Sequence, residues 1–146
     1  MEKQTALLVI DIQIGFFDIE YWGGNRNNLN AERNSAKILE VWRRNDWPII
    51  HVKHNSTNPD SPLFPGKKGN DFQRLVKPLQ NETTFEKTVN SAFIGTRLEQ
   101  RLKENKIASV LIVGLTTDHC ISTSIGMSAN LGFETTLVKD ATATFD

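Results

Sequence analysis

Thr5-Ala6-Leu7-Leu8-Val9-Ile10-Asp11 decides the fold. One threonine leads five apolar residues with no polar alternation, and a carboxylate closes the run. An alternating pattern would leave one strand face in water. A continuous apolar run is buried on both faces, as in a parallel sheet covered above and below by helices. Working outward, Pro48 is followed by a second such strand, Ile49-Ile50-His51-Val52. Residues 84–87 predict a short third strand ending at Lys87, Ala108 to Val113 a fourth running into Gly114, and Glu134 to Lys139 a fifth.

Helices fall between them. Asn30 is a natural N-cap for a helix to about Asn45, in which Ile38, Leu39 and Trp42 share one face. Thr96 to Lys106 carries Leu98 and Leu102 at i,i+4 and a Glu99–Lys103 pair in the favourable orientation. Asp118 to Asn130 predicts a third helix burying Ile121, Ile125 and Ala129, with Gly132 as its C′ stop. Gly15 to Asn28 reads as loop. Between Asn55 and Thr83, periodicity vanishes among Pro59, Pro62, Pro65, Gly66 and Gly69, with only Phe72 to Leu79 able to supply a short helical turn. Loops of that length are usually functional lids or disordered, and Leu63, Phe64, Phe72 and Leu75 argue against disorder. Strands alternating with helices specify an α/β fold: a three-layer α/β/α sandwich around a mostly parallel sheet, with right-handed crossovers.

The 146 residues predict a single domain, 1–146. A chain of this size hides roughly two-thirds of its unfolded surface, enough for a core without staples. Seventeen basic and seventeen acidic residues cancel, so the basic excess expected of a nucleic-acid binder is missing. No apolar run approaches the ~20 residues needed to cross a bilayer, and no leader opens the chain. One cysteine cannot form an internal disulfide, which fits a reducing cytoplasm.

In open α/β sheets, ligands bind beyond the carboxyl ends of the strands. Asp11 closes the first strand, Lys87 the third, and Cys120 follows the Gly114 turn of the fourth. A carboxylate, an ammonium and a thiol are thereby aimed at one rim, the ingredients of covalent acyl transfer. Cys120 in the first turn of a helix is favoured as thiolate by the helix dipole, and Lys87 would lower its pKa further. Asp11 could take the thiol proton and return it to a leaving amine. The N–H of Cys120, with another from the Gly114–Thr117 turn, would face a substrate carbonyl oxygen. A plainer reading fits the same residues. Lone cysteines in helices are mostly buried and inert. An aspartate after a strand often only forms a turn, and Lys87 beside Glu86 could be a solvated pair. Spacing alone leaves the two readings balanced.

The surrounding words add a resemblance. Leu8-Val9-Ile10-Asp11-Ile12-Gln13-Ile14-Gly15-Phe16-Phe17 resembles the opening motif of the isochorismatase-like cysteine hydrolases. Glu86 to Thr96, EKTVNSAFIGT, resembles that family's lysine motif, and Gly114 to Ile121, GLTTDHCI, its nucleophile motif. Leu131-Gly132-Phe133 and Asp140 to Phe145 match segments that usually follow. The resemblance spans nearly the whole chain, in order. It implies a Rossmann-like topology and a catalytic triad of Asp11, Lys87 and Cys120, with Cys120 as nucleophile. It also implies a cis Leu115–Thr116 peptide that turns the Thr116 N–H toward an oxyanion hole shared with the Cys120 N–H. Aromatics would line the substrate pocket, here Phe16 and Phe93 together with the loop around Trp22. Family structures usually continue with another strand and helix, so an end at Asp146 is an expected departure.

The histidines invite other readings. Neighbours on a helix diverge by about 100°, so His119 points away from the Cys120 side chain and is not its base. His51 and His54 with Asp60 suggest metal ligands, and the nicotinamidase branch does hold a metal, on an aspartate and two histidines just after strand 2. Here His54 falls at the aspartate position and Ser56 at the first histidine position. No metal and no cofactor are therefore expected.

The resemblance implies a hydrolase cleaving a C–N bond of a small amide or ureide through a cysteine acyl-enzyme. An isochorismatase-type vinyl-ether hydrolase and a catalytically idle binding or assembly relative are the alternatives. The expected partners are a small-molecule substrate and further copies of the chain (a dimer or tetramer), with no nucleic acid and no membrane.

Overall fold

The computed structural model describes residues 4–145; Asp146, the expected domain end, lies outside them. Five strands form one sheet: β1 (Thr5–Ile10), β2 (Ile49–His54), β3 (Thr83–Lys87), β4 (Ser109–Leu115) and β5 (Glu134–Ala143). Their order is β3-β2-β1-β4-β5, and every pairing is parallel. Three helices complete the layers: α1 (Ala31–Arg44), α2 (Leu98–Glu104) and α3 (Ser122–Asn130).

The run that opens the sequence sits at the centre of the sheet. Ala6, Leu8 and Ile10 enter a core shared with Leu98 and Leu102 of α2, Ile121 and Phe133. Leu7 and Val9 face the opposite way, into a core with Leu39 of α1 and Val76. The lack of alternation in β1 thus has its cause in two separate apolar layers. Truncating a wholly buried residue such as Leu39 would cost about 2–5 kcal/mol.

Several elements differ from their expected bounds. β2 runs on from Val52 to His54, and β5 from Lys139 to Ala143. β5 slips in register between Ile112 and Gly114, then resumes at Thr142 and Ala143. Its exposed Lys139 and Asp140 interrupt the apolar pattern at that slip. Helix α2 begins at Leu98 rather than Thr96, because Thr96 Oγ1 accepts from Leu98 N at 3.3 Å and donates to the Ala92 carbonyl at 2.6 Å. The expected Asp118–Asn130 helix is a π-type turn over Thr117–Ile121 followed by α3. Its inner face also differs. Ala129 is exposed and Ile125 only half-buried, while Ser124 and Ser128 are buried. Both serines are satisfied there: Ser124 Oγ accepts from Ala92 N at 3.0 Å, and Ser128 Oγ meets Thr135 Oγ1 at 2.7 Å. Small hydroxyls can be buried at this face because each has a partner there.

The long segment 55–83 is packed, with short 3₁₀ turns at Lys68–Asn70 and Arg74–Val76 and buried Leu63 and Val76. Gly114 fixes the mouth of the site. Its φ is +139°, and a Cβ there would lie 1.9 Å from the Ile10 carbonyl oxygen, so only glycine lets β4 pass β1 at this point.

Candidate active site

The carboxyl ends of β1, β2, β3 and β4 converge on one spot. Asp11 follows β1 in the left-handed region, φ +56°, with its N–H donated to the Val52 carbonyl at 2.8 Å. Aspartate tolerates that conformation better than most residues, and such strained positions cluster at functional sites. Lys87 is the last residue of β3 and lies in register with His54 of β2. Cys120 sits in the Thr117–Ile121 turn after β4.

Lys87 Nζ is the hub. It donates to Asp11 Oδ2 at 2.8 Å, to His54 Nδ1 at 2.9 Å and to Cys120 Sγ at 3.4 Å. Asp11 Oδ1, buried and without a protein partner among the described residues, is the open oxygen of that carboxylate. On the other side Sγ lies 3.7 Å from Asn90 Oδ1. The Leu115–Thr116 peptide is cis, and the Thr116 carbonyl accepts from the N–H groups of His119 and Ile121 at 3.2 and 3.1 Å. His119 is exposed, with its Nε2 3.8 Å from Asp118 Oδ2.

The electrostatics correct one expectation. Burial pushes the Cys120 thiol up, and the Asp11 carboxylate pushes it further, while Lys87 opposes both; the outcome is about 12. The thiol therefore rests protonated, because desolvation of a thiolate outweighs the nearby cation. His54 shifts the other way. Burial and then Lys87 hold its imidazole below the usual range, against Asp11 and the Val89 carbonyl.

A polar frame holds this rim. Gln13 Nε2 donates to the carbonyls of His54 and Asn70 at 3.0 and 2.9 Å, and Gln13 Oε1 accepts from His54 N at 3.0 Å. Asn70 Nδ2 donates to the Leu63 carbonyl at 2.8 Å within the 55–83 segment and to the His54 carbonyl at 3.3 Å, which pins that segment to the end of β2. Sequence reasoning missed Gln13, His54 and Asn90. His54 had a usable signal, since it closes β2 as Asp11 closes β1 and Lys87 closes β3; ending β2 at Val52 hid it.

Among the described residues, the candidate donor sets do not fit metal ligation. Asp11, His54 and Cys120 hold donor atoms within 4.8 Å of one another, but the Lys87 ammonium already stands against all three. Ser56 Oγ accepts from Asn58 N at 3.1 Å, Asp60 is exposed, and buried His51 gives its Nε2 to Glu82 at 2.8 Å. The aromatic residues lie in two groups. Phe93 packs in the same core as Cys120 and stacks on Phe133 at 6.0 Å. Phe16 stacks on Trp22 at 4.8 Å in a separate cluster with Leu115 and Phe145.

The family model of the isochorismatase domain matches residues 5–146. The chain belongs to the isochorismatase family. Its relatives agree. It is 49% identical to the uncharacterised isochorismatase family protein YrdC of Bacillus subtilis over 145 residues, 99% of this chain and 76% of that protein. An isochorismatase-family crystal structure from Chromobacterium violaceum superposes with a TM-score of 0.94 at 38% identity, covering 99% of this chain and 74% of that one. Nicotinamidase 3 of Arabidopsis thaliana is 28% identical over 157 residues, covering 99% of this chain and 75% of that protein. The five-stranded parallel α/β architecture of this isochorismatase-family chain thus matches the Chromobacterium violaceum structure over the 74% of it that is covered. Among the described residues no helix is long and apolar enough to cross a membrane.

Proposed function

We propose that this isochorismatase-family protein is a cysteine hydrolase that cleaves the C–N bond of a small amide or ureide through an acyl-enzyme on Cys120. The single observation that carries this reading is the Lys87 ammonium bridging a buried thiol and a buried carboxylate, at 3.4 and 2.8 Å.

Asp11 takes the thiol proton through its open Oδ1 as Sγ attacks the substrate carbonyl, so the thiolate forms only when it is used. Lys87 offsets the negative charge as it passes between Sγ and the carboxylate. The N–H groups of Thr116 and Cys120 receive the oxyanion. Asp11 then gives its proton to the departing nitrogen, the C–N bond breaks and a thioester remains. A water gives a proton to Asp11 and attacks the thioester; collapse releases the acid and returns the proton to Sγ. Phe16, Trp22 and Phe93 are the aromatic side chains proposed to shape the pocket.

The test is a panel of small amides and ureides, followed by ammonia or amine release, with wild type beside Cys120→Ala. Turnover of at least one C–N substrate, lost in Cys120→Ala, supports the reading. A panel left untouched while a vinyl ether is hydrolysed by both proteins overturns it.

A further inference from the structure

One of the three acceptors around Lys87 has no part in the acyl-transfer chemistry. An ammonium carries three N–H donors and accepts nothing, and here the three meet Asp11 Oδ2, Cys120 Sγ and His54 Nδ1. Because Nζ donates, His54 Nδ1 must present a lone pair, so the ring is neutral with its proton on Nε2. The Val89 carbonyl faces the ring and suits that tautomer. Gln13 and Asn70 fix the main chain from which the ring projects, gripping both the N–H and the carbonyl of His54. Its sequence neighbour Lys53 lies elsewhere, over the Phe72 ring.

We propose that neutral His54 is a positioning residue whose Nδ1 lone pair aims the Lys87 ammonium between Asp11 and Cys120, and whose protonation releases it. A protonated ring has no acceptor at Nδ1 and repels the ammonium beside it. The charged and titratable groups facing the ring are Lys87 from β3, Asp11 from the end of β1 and Cys120 from the turn after β4. Burial and Lys87 together keep the ring neutral down to below the usual imidazole range, so the site would fail only in acid.

The role in turnover rests on the amide-hydrolase reading, but the first test needs no substrate. Nitrogen-15 spectra of the wild type should show His54 with bare Nδ1 and protonated Nε2 between pH 6 and 8. Lys87→Met should raise the pH at which that ring takes its second proton. A proton on Nδ1 in the wild type, or an unchanged titration in folded Lys87→Met, overturns the inference and leaves the hydrolase reading standing. The second test uses the best amide of the panel. His54→Asn keeps an acceptor that cannot be protonated; it should hold kcat/KM within about threefold and move the acid limb of the pH profile to lower pH. His54→Leu keeps bulk without the acceptor and should lose about tenfold or more in kcat at the pH optimum. A His54→Leu enzyme with wild-type kcat, or a His54→Asn enzyme with an unmoved acid limb, overturns the inference. Correct spectra in a protein that cleaves no amide would count against the hydrolase reading alone.

Discussion

The Lys87 ammonium meets the Asp11 carboxylate at 2.8 Å, and neither side chain is exposed to water. Seventy-six positions separate the two residues, so the pair exists only because β1 and β3 end on the same rim. Two buried charges that neutralise each other are tolerable, whereas one alone is not. Lys87→Met should therefore cost about 3–5 kcal/mol in urea unfolding, by leaving Asp11 uncompensated. Adding Asp11→Asn to it should recover part of that loss. A double variant less stable than Lys87→Met would contradict the pairing.

The protonated thiol makes a prediction about pH. With Cys120 pushed up to about 12 by burial, the Asp11 charge and only partial relief from Lys87, alkylation by iodoacetamide should rise about tenfold per pH unit through the neutral range. No plateau should appear near pH 8.5. Stability carries the same sign: a folded pKa above the unfolded value contributes fully below about pH 9 and is lost as pH rises toward 12. Unfolding of wild type and Cys120→Ala, compared at pH 8 and pH 10, should show the wild type losing more. An alkylation midpoint below 8.5 would restore the thiolate as resting state.

Glu82 sets the acid side. Burial alone would raise its carboxyl, but Arg43, the Leu79 N–H and His51 bring it down to about 2. Arg43 donates at 2.7 and 2.8 Å and His51 Nε2 lies 2.8 Å away, tying the loop before β3 to α1 and β2. A folded pKa below the unfolded one stabilises above about 4.5 and is lost as pH falls toward 2. The stability gap between wild type and Glu82→Gln should thus shrink from pH 5 to pH 2.5. A gap independent of pH would show that these contacts do not depend on its charge.

How much of this was legible depended on whether chemistry or geometry carried the signal. β1 was legible to the residue, because burial on both faces leaves an unbroken apolar run. Asp11 and Lys87 were legible as strand-end residues and Cys120 as a residue of the turn after β4, and the parallel order follows from β–α alternation. The inner face of α3 was not legible, since Ser124 and Ser128 look like surface until their partners Ala92 N and Thr135 Oγ1 are in place. Nor was the state of the thiol. A helix N-terminus and a nearby lysine are visible in sequence, but the burial that outweighs them arises only when the core around Cys120 is packed. Gln13 was hidden for a similar reason: its partners at residues 54 and 70 lie on segments that the sequence does not connect.

The unsuitability of the residues near β2 as a metal set gives a simple expectation. Turnover of a panel substrate should survive prolonged EDTA treatment followed by assay in metal-free buffer. Loss of activity on chelation, restored by zinc, would mean that His54 leaves Lys87 to bind metal.

In this mechanism Cys120 carries the acyl group, and intact-mass spectrometry of acid-quenched reactions would reveal it. Asp11→Asn should slow deacylation by about 10²-fold or more, which favours trapping if acylation is slowed less. With the best panel substrate, a mass increase equal to the acyl fragment is expected, located on the peptide bearing Cys120. Cys120→Ala should show no such increase and no turnover. Steady turnover with no adduct in either wild type or Asp11→Asn, and activity retained in Cys120→Ala, would contradict it.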